Sequence, residues 1–94
     1  MDIKSLEKKA EILKALGHPA RLCIVKGLLE HGGCNVSYMQ NCIGLPQSTV
    51  SQHISKLKAA GIIEGIRNGL EITYKVVDED VIKIMGALFP SEKK

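Results

Sequence analysis

The chain has 94 residues and a formal net charge of +3, so it is the size of one domain, and its charge suits a polyanionic partner only where positive side chains cluster. A domain of this size buries only about 60 to 65% of its unfolded surface, which favours a core completed by a second copy. No apolar run approaches the roughly 18 residues of a membrane span, and the charged N-terminus lacks a signal-peptide segment. We therefore expect a cytoplasmic protein without a membrane partner. Three cysteines, an odd number, argue against a disulfide framework.

Helical periodicity predicts two helices in the first third of the chain. Asp2 is a suitable N-cap for a first helix over about residues 2–17, whose apolar side chains recur at helical spacing until Gly17. Pro19 suits the first position of a second helix, because its missing N–H would have no partner there. That helix should end at Gly32. Its residues are apolar on most faces, which indicates a place at the centre of the domain.

A helix-turn-helix is predicted next. Ser37 and Gln40 match a capping box, so a short third helix should begin at Ser37 and end at Gly44. Only two residues separate it from a fourth helix, which Gly61 ends and whose buried stripe is Val50, Ile54 and Leu57. Two helices joined by so short a turn must cross steeply, as in a helix-turn-helix.

The pattern then changes to that of strands. Asn68-Gly69 separates two β-prone runs and predicts a hairpin with Arg67 at its tip. Its buried face should carry Leu70, Ile72, Tyr74 and Val76. A last helix over about residues 79–89, capped by Asp78 or Asp80, follows until Pro90. The predicted fold is mainly α with a β-hairpin (α+β), a single winged helix-turn-helix domain over residues 1–94 in the order α-α-α-α-β-β-α.

Two segments carry a family resemblance. Residues 15–22 (ALGHPARL) and 45–62 (LPQSTVSQHISKLKAAGI) resemble the hallmark segments of the ArsR/SmtB family of winged helix-turn-helix repressors, and the likeness continues through the hairpin. The resemblance implies a transcriptional repressor that binds double-stranded DNA at a palindromic operator. It also implies a homodimer joined through the first and last helices, about residues 2–17 and 79–89.

The fourth helix supplies most of the candidate DNA-binding residues. Its polar face and the resemblance both favour base-edge contacts by Gln47, Ser48, Ser51 and Gln52. Gln52 could pair with adenine through two hydrogen bonds. Phosphate or minor-groove contacts are expected from Thr49, Lys56 and Arg67. His53 has two interpretations, a DNA contact or a packing residue beside buried Ile54. Pro46 stands where a capping serine is common in the family, so the helix should begin without a side-chain cap.

The metal sites of the family are not expected here, and no cofactor is predicted. The resemblance implies a Cys-x-Cys pair at the third helix, but Asn35 and Ser37 occupy those positions. A second family site uses Asp and His on the last helix, and residues 78–94 contain no histidine. Nothing in the sequence has the spacing of a catalytic nucleophile, base and acid, or of a phosphate loop, so an enzyme is not expected.

The three cysteines leave an alternative open. Cys42 and Cys23 are expected to be structural, whereas Cys34 follows two glycines and should lie in an exposed loop that oxidants can reach. The alternative function is a thiol-based redox- or persulfide-responsive repressor that uses Cys34 with Cys23 or Cys42. A winged helix that serves as a protein-interaction module is the remaining alternative, and it would bind DNA weakly and without discrimination.

Overall fold

A computed structural model describes residues 2–90, apart from the side chain at position 42, so the predicted role of Cys42 lies outside the described residues. Five helices and two strands follow one another in the predicted order. They are α1 (Ile3–Leu16), α2 (Pro19–His31), α3 (Val36–Ile43), α4 (Gln47–Ala59), β1 (Ile63–Asn68), β2 (Glu71–Val76) and α5 (Glu79–Leu88). The predicted fold class is confirmed.

Side-chain caps fix where most of the helices begin. Asp2 accepts a hydrogen bond from the N–H of Lys4, and Asp78 accepts one from the N–H of Val81. The predicted cap of α3 was wrong. Asn35, and not Ser37, is the N-cap, since its Oδ1 accepts from the backbone N–H three residues later at 2.8 Å, and the helix therefore begins at Val36.

The hairpin is antiparallel, and its turn lies one residue later than predicted. Asn68 pairs with Glu71, so the two-residue loop is Gly69-Leu70. Gly69 adopts a φ of 70°, the left-handed conformation that a two-residue hairpin loop places at its first position. Leu70 was predicted to be buried, but it is 100% exposed because it belongs to the loop. Tyr74 of β2 is buried as predicted.

The core is built around α2 and α4. Its buried residues include Ile24, Val25 and Leu28 of α2, Val50, Ile54 and Leu57 of α4, and Ile62 and Ile63 at the start of the wing. From α1 the core takes Ile12 and Leu16, while Val81 and Met85 come from α5. The buried stripe of α4 therefore agrees with the prediction and determines which face of that helix is exposed.

The two terminal helices keep a large apolar face in solvent. Ile3, Leu6 and Leu13 of α1, Ile82 and Leu88 of α5, and Phe89 directly after α5 are each between 41 and 63% exposed. An ion pair between Lys9 and Asp80 joins α1 to α5 within one chain. Burial of the six apolar side chains requires a second surface, because their own domain does not cover them.

The segment after α2 is hydrogen-bonded to the wing, and the burial of two cysteines differs from the prediction. The N–H of Cys34 donates to the carbonyl of Tyr74 at 3.1 Å, and the N–H of Tyr74 donates back at 2.8 Å. Cys34 is only 7% exposed, so the prediction of an exposed loop thiol was wrong. Cys23, expected beside the buried stripe of α2, is exposed instead.

Candidate nucleic-acid interface

The solvent face of α4 presents a row of hydrogen-bonding side chains opposite its buried stripe. Its exposed members are Gln47, Ser48, Ser51, Gln52 and Lys56, and Thr49 is half-buried beside them. Amide and hydroxyl groups both donate and accept hydrogen bonds, so such a face can match the donor and acceptor pattern of base edges. The fold thus brings all four predicted base-edge residues to one exposed helix face.

The beginning of α4 has no side-chain cap. Pro46 is the N-cap and offers no side-chain hydrogen bond, as its missing polar side chain predicts, while its carbonyl accepts from the N–H groups of Thr49 and Val50 at 3.0 and 3.1 Å. The first turn of a helix carries a partial positive charge from its backbone N–H groups. An anion such as a DNA phosphate is favoured there.

Arg67 lies on the wing, apart from the α4 row. It is exposed on β1, opposite Ile72 and two residues before the loop. The predicted place at the tip was close, although the loop itself is Gly69-Leu70. An exposed guanidinium on a projecting hairpin can contact a phosphate or reach into a minor groove.

His53 sits at the edge of the α4 row and contacts two residues of the domain. Its Nδ1 lies 3.2 Å from Nη1 of Arg21, and its ring centroid lies 4.7 Å from that of His18. Partial burial lowers the pKa of His53, and the charges of His18, Arg21 and Lys56 lower it further. This side chain is therefore a half-buried contact between helices, which favours the packing interpretation.

Sequence reasoning assigned no role to the residues that meet His53. His18 and Arg21 stand in the ALGHPARL segment, and Arg21 is 32 positions away from His53. The segment itself was the available signal, since it contains a histidine and an arginine at the junction of two apolar helices. What could not be predicted was that this junction packs against α4.

Cys23 and Cys34 do not belong to α4, since Cys23 is part of α2 and Cys34 precedes α3. Cys23 and Cys34 both line a cavity of about 150 Å³ between α2 and α3. Among residues 2–90, leaving aside the side chain at position 42, no three His, Cys, Asp or Glu side chains are grouped so as to hold a metal ion. Within the same range, no helix has the length and apolar character to cross a membrane.

Known proteins are similar to this chain in both sequence and fold. The family described as "Helix-turn-helix domain" matches residues 16–66. The chain is 41% identical over 90 residues to the transcriptional repressor PagR of Bacillus anthracis, covering 96% of this chain and 90% of PagR. It is 39% identical over 80 residues to the transcriptional repressor SmtB of Mycobacterium tuberculosis, covering 85% of this chain and 58% of SmtB. The chain belongs to the ArsR/SmtB family.

Solved structures of ArsR/SmtB-type proteins agree with this fold. The crystal structure of PagR superposes with a TM-score of 0.86 over 93% of this chain and 99% of PagR. A homodimeric winged helix-turn-helix DNA-binding domain from Mycobacterium bovis superposes with a TM-score of 0.83 at 29% identity, over 94% of this chain and 82% of that one. The protein is thus an ArsR/SmtB-family transcriptional regulator with a DNA-binding winged-helix fold, and it is not an enzyme.

Proposed function

We propose that this protein is a cytoplasmic repressor that binds a palindromic operator as a homodimer. The observation that carries the proposal is the row of exposed hydrogen-bonding side chains on α4, held outward by a buried stripe on the opposite face. In a two-fold dimer the two α4 helices enter successive major grooves about one helical turn apart. Gln47, Ser48, Ser51 and Gln52 then contact base edges, and Gln52 is suited to a bidentate pair with adenine.

Positioning contacts complete this arrangement. The partly positive first turn of α4, together with Thr49 and Lys56, faces the phosphates that border the groove, while Arg67 of the wing reaches the next stretch of backbone. These contacts add affinity for any duplex and make it salt-dependent, because each neutralised phosphate releases counterions. Specificity remains with the four base-edge residues of α4.

The dimer is supported by the exposed apolar face of the terminal helices. Six large apolar side chains of α1, of α5 and directly after α5 are at least 41% exposed, and a second copy would cover the same face on both chains. The M. bovis neighbour is described as homodimeric, which is a property of that protein. A shared interface on the terminal helices leaves both α4 faces free for DNA.

The test is a selection of duplexes from a random-sequence pool, followed by titration of the enriched duplex. We expect enrichment of a two-fold symmetric sequence. Gln52→Ala should weaken binding to that duplex by about 1 to 3 kcal/mol and leave binding to a random duplex unchanged. Ser5→Ala, an exposed polar residue of α1, is the matched control. Failure of the wild-type protein to enrich any sequence would contradict the proposal and favour a winged helix that binds protein partners.

Thiol-dependent repression is a second candidate, favoured by the cavity that Cys23 and Cys34 share. Because Cys34 is buried and Cys23 is exposed, Cys23 would react first with an oxidant or a persulfide. Operator binding that is lost on oxidation in the wild type and retained in Cys23→Ser would support this candidate. Equal binding by oxidised and reduced wild-type protein would exclude it.

A further inference from the structure

A cluster of three side chains joins the α1–α2 junction to α4. Nε of Arg21 donates to the carbonyl of Ala15 in the last turn of α1, and Nη1 of Arg21 contacts Nδ1 of His53 at 3.2 Å. Nδ1 of His18 accepts from the N–H of Ala20 at 3.0 Å, which caps α2 and holds the ring against His53. One guanidinium therefore bridges a terminal helix and α4.

We propose that Arg21 is a positioning residue for DNA recognition, because its guanidinium fixes α4 against the end of α1 through His53. The inference rests on the proposed function and concerns the orientation of the four base-edge residues of α4. His53 directly follows Gln52 in α4, so a restraint on its ring restrains the part of the helix that carries the base-edge row. The angle between α4 and α1 sets the spacing of the two α4 helices in a dimer joined through α1.

The chemistry of the contact requires an arginine. The guanidinium is planar and has five N–H donors in a fixed fork, so it can donate to a carbonyl on one side and to an imidazole on the other. A lysine ammonium at the end of a flexible stem cannot keep both contacts in the same geometry. The contact is also half-buried, where hydrogen bonds are less exposed to competition from water.

The contact also requires that His53 be neutral. Arg21 can only donate, so Nδ1 of His53 accepts and its proton resides on Nε2. The charged and titratable groups that face His53 are His18 from the α1–α2 junction, Arg21 from α2 and Lys56 from α4 itself. A protonated His53 would lose its acceptor and meet positive charge from these groups. Acid should therefore release α4 from Arg21.

The first experiment needs no DNA. Amide hydrogen exchange of α4 and the ¹⁵N shifts of the His53 ring are measured by NMR in the wild type and in Arg21→Lys, with Arg67→Lys as the matched control at an exposed position. We expect α4 amides to exchange about tenfold faster in Arg21→Lys, with α5 amides unchanged and a new His53 ring shift. Unchanged exchange in α4 together with an unchanged His53 ring would overturn the proposal.

The second experiment uses the duplex enriched by the wild-type protein and a random duplex. Arg21→Lys should bind the enriched duplex about tenfold more weakly, the scale of one misplaced base contact, and bind the random duplex equally well. Equal weakening for both duplexes, with a salt slope reduced by about one, would mean that Arg21 contacts a phosphate, and it would overturn the positioning role. If the wild type enriches no duplex, the proposed function fails while the exchange measurement still decides the role of Arg21.

A variant at His53 tests the same contact with Arg21 unchanged, so it decides the question even where Arg21 variants fail to fold. His53→Asn places an amide oxygen near the position of Nδ1, so it keeps an acceptor for Arg21 that does not titrate. We expect the affinity of this variant for the enriched duplex to change less than that of the wild type as the pH falls below 6.5, because the His53 imidazole protonates only below its ordinary pKa. The same loss of affinity in His53→Asn and in the wild type would count against the proposal.

Discussion

His53 gives this small domain a pH-dependent stability whose sign follows from its surroundings. Burial, together with electrostatic repulsion from His18, Arg21 and Lys56, holds the pKa of His53 below its ordinary value of 6.5. The unfolded chain therefore binds a proton at a higher pH than the folded chain. The stabilisation is complete above pH 6.5 and is lost as the pH falls through the lower pKa of the folded protein.

Urea unfolding at several pH values tests this sign. We expect the free energy of unfolding to decrease as the pH falls from about 7.5 towards 5, and we expect His53→Asn to decrease less over that range. His31, which contacts Tyr38 at the other end of α2, provides the control variant His31→Asn. A wild-type stability that increases on acidification would contradict the assignment.

Substitution of Arg67 should weaken DNA binding by the same factor whatever the base sequence of the duplex. It is an exposed cation on the wing, and phosphate contacts position a protein without reading bases. Arg67→Gln should weaken binding to the enriched and random duplexes by the same factor and reduce the salt slope by about one. Fluorescence anisotropy at two salt concentrations measures both effects. A loss confined to the enriched duplex would instead make Arg67 a base-reading residue.

The position of a single side chain was predictable where a local pattern determines it and unpredictable where a contact with a distant part of the chain determines it. The outward row of α4 followed from three apolar residues at helical spacing. The burial of Cys34 did not, because it depends on backbone pairing with Tyr74, 40 positions later in the chain. The contact between Arg21 and His53 could not be predicted for the same reason.

Among the elements, the hairpin is the one most sensitive to added volume. Gly65 of β1 lies opposite Tyr74, and a Cβ there would stand 2.9 Å from Cε1 of Tyr74 and 2.9 Å from Cγ2 of Ile72. Gly27 of α2 is the contrasting case, since a Cβ there would meet nothing within 4 Å. Gly27 therefore makes no close contact with another part of the described chain.

These two glycines give a matched pair of predictions. Gly65→Ala should destabilise the protein by about 1 to 3 kcal/mol through overpacking. Gly27→Ala should stabilise it by about 0.5 to 1 kcal/mol, because alanine is favoured over glycine within a helix. Urea unfolding of both variants measures the difference. Equal effects of the two substitutions on the free energy of unfolding would contradict the predicted overpacking of a Cβ at position 65 against the ring of Tyr74.

Element order was predictable because periodicity, prolines and glycines are local signals. The errors were shifts of one or two residues between competing local signals. Asn35 and Ser37 can both cap a helix, and the burial of Met39 in the core accompanies the earlier start. Either Asn68 or Leu70 can form the two-residue loop with Gly69. Because Asn68 pairs with Glu71, Leu70 belongs to the loop.

For the whole molecule, the proposed binding to a palindromic operator depends on a dimer formed by α1 and α5. Leu13 is 57% exposed on the apolar face of α1, so Leu13→Glu would bury a carboxylate in the proposed interface. We expect sedimentation equilibrium to give a dimer for the wild type and a monomer for this variant. Lys4→Gln lowers the net charge by the same amount on the polar side of α1, and it should remain dimeric. A dimeric Leu13→Glu would place the interface elsewhere.

Operator recognition is tested by titrating a fluorescent duplex that carries the DNA upstream of the protein's own gene, against a scrambled duplex, at two salt concentrations. We expect two chains per duplex, tighter binding to the upstream sequence, and an affinity that falls steeply with salt because phosphates are neutralised. Equal binding of both duplexes, by a protein that also enriches no sequence from a random pool, would contradict operator recognition.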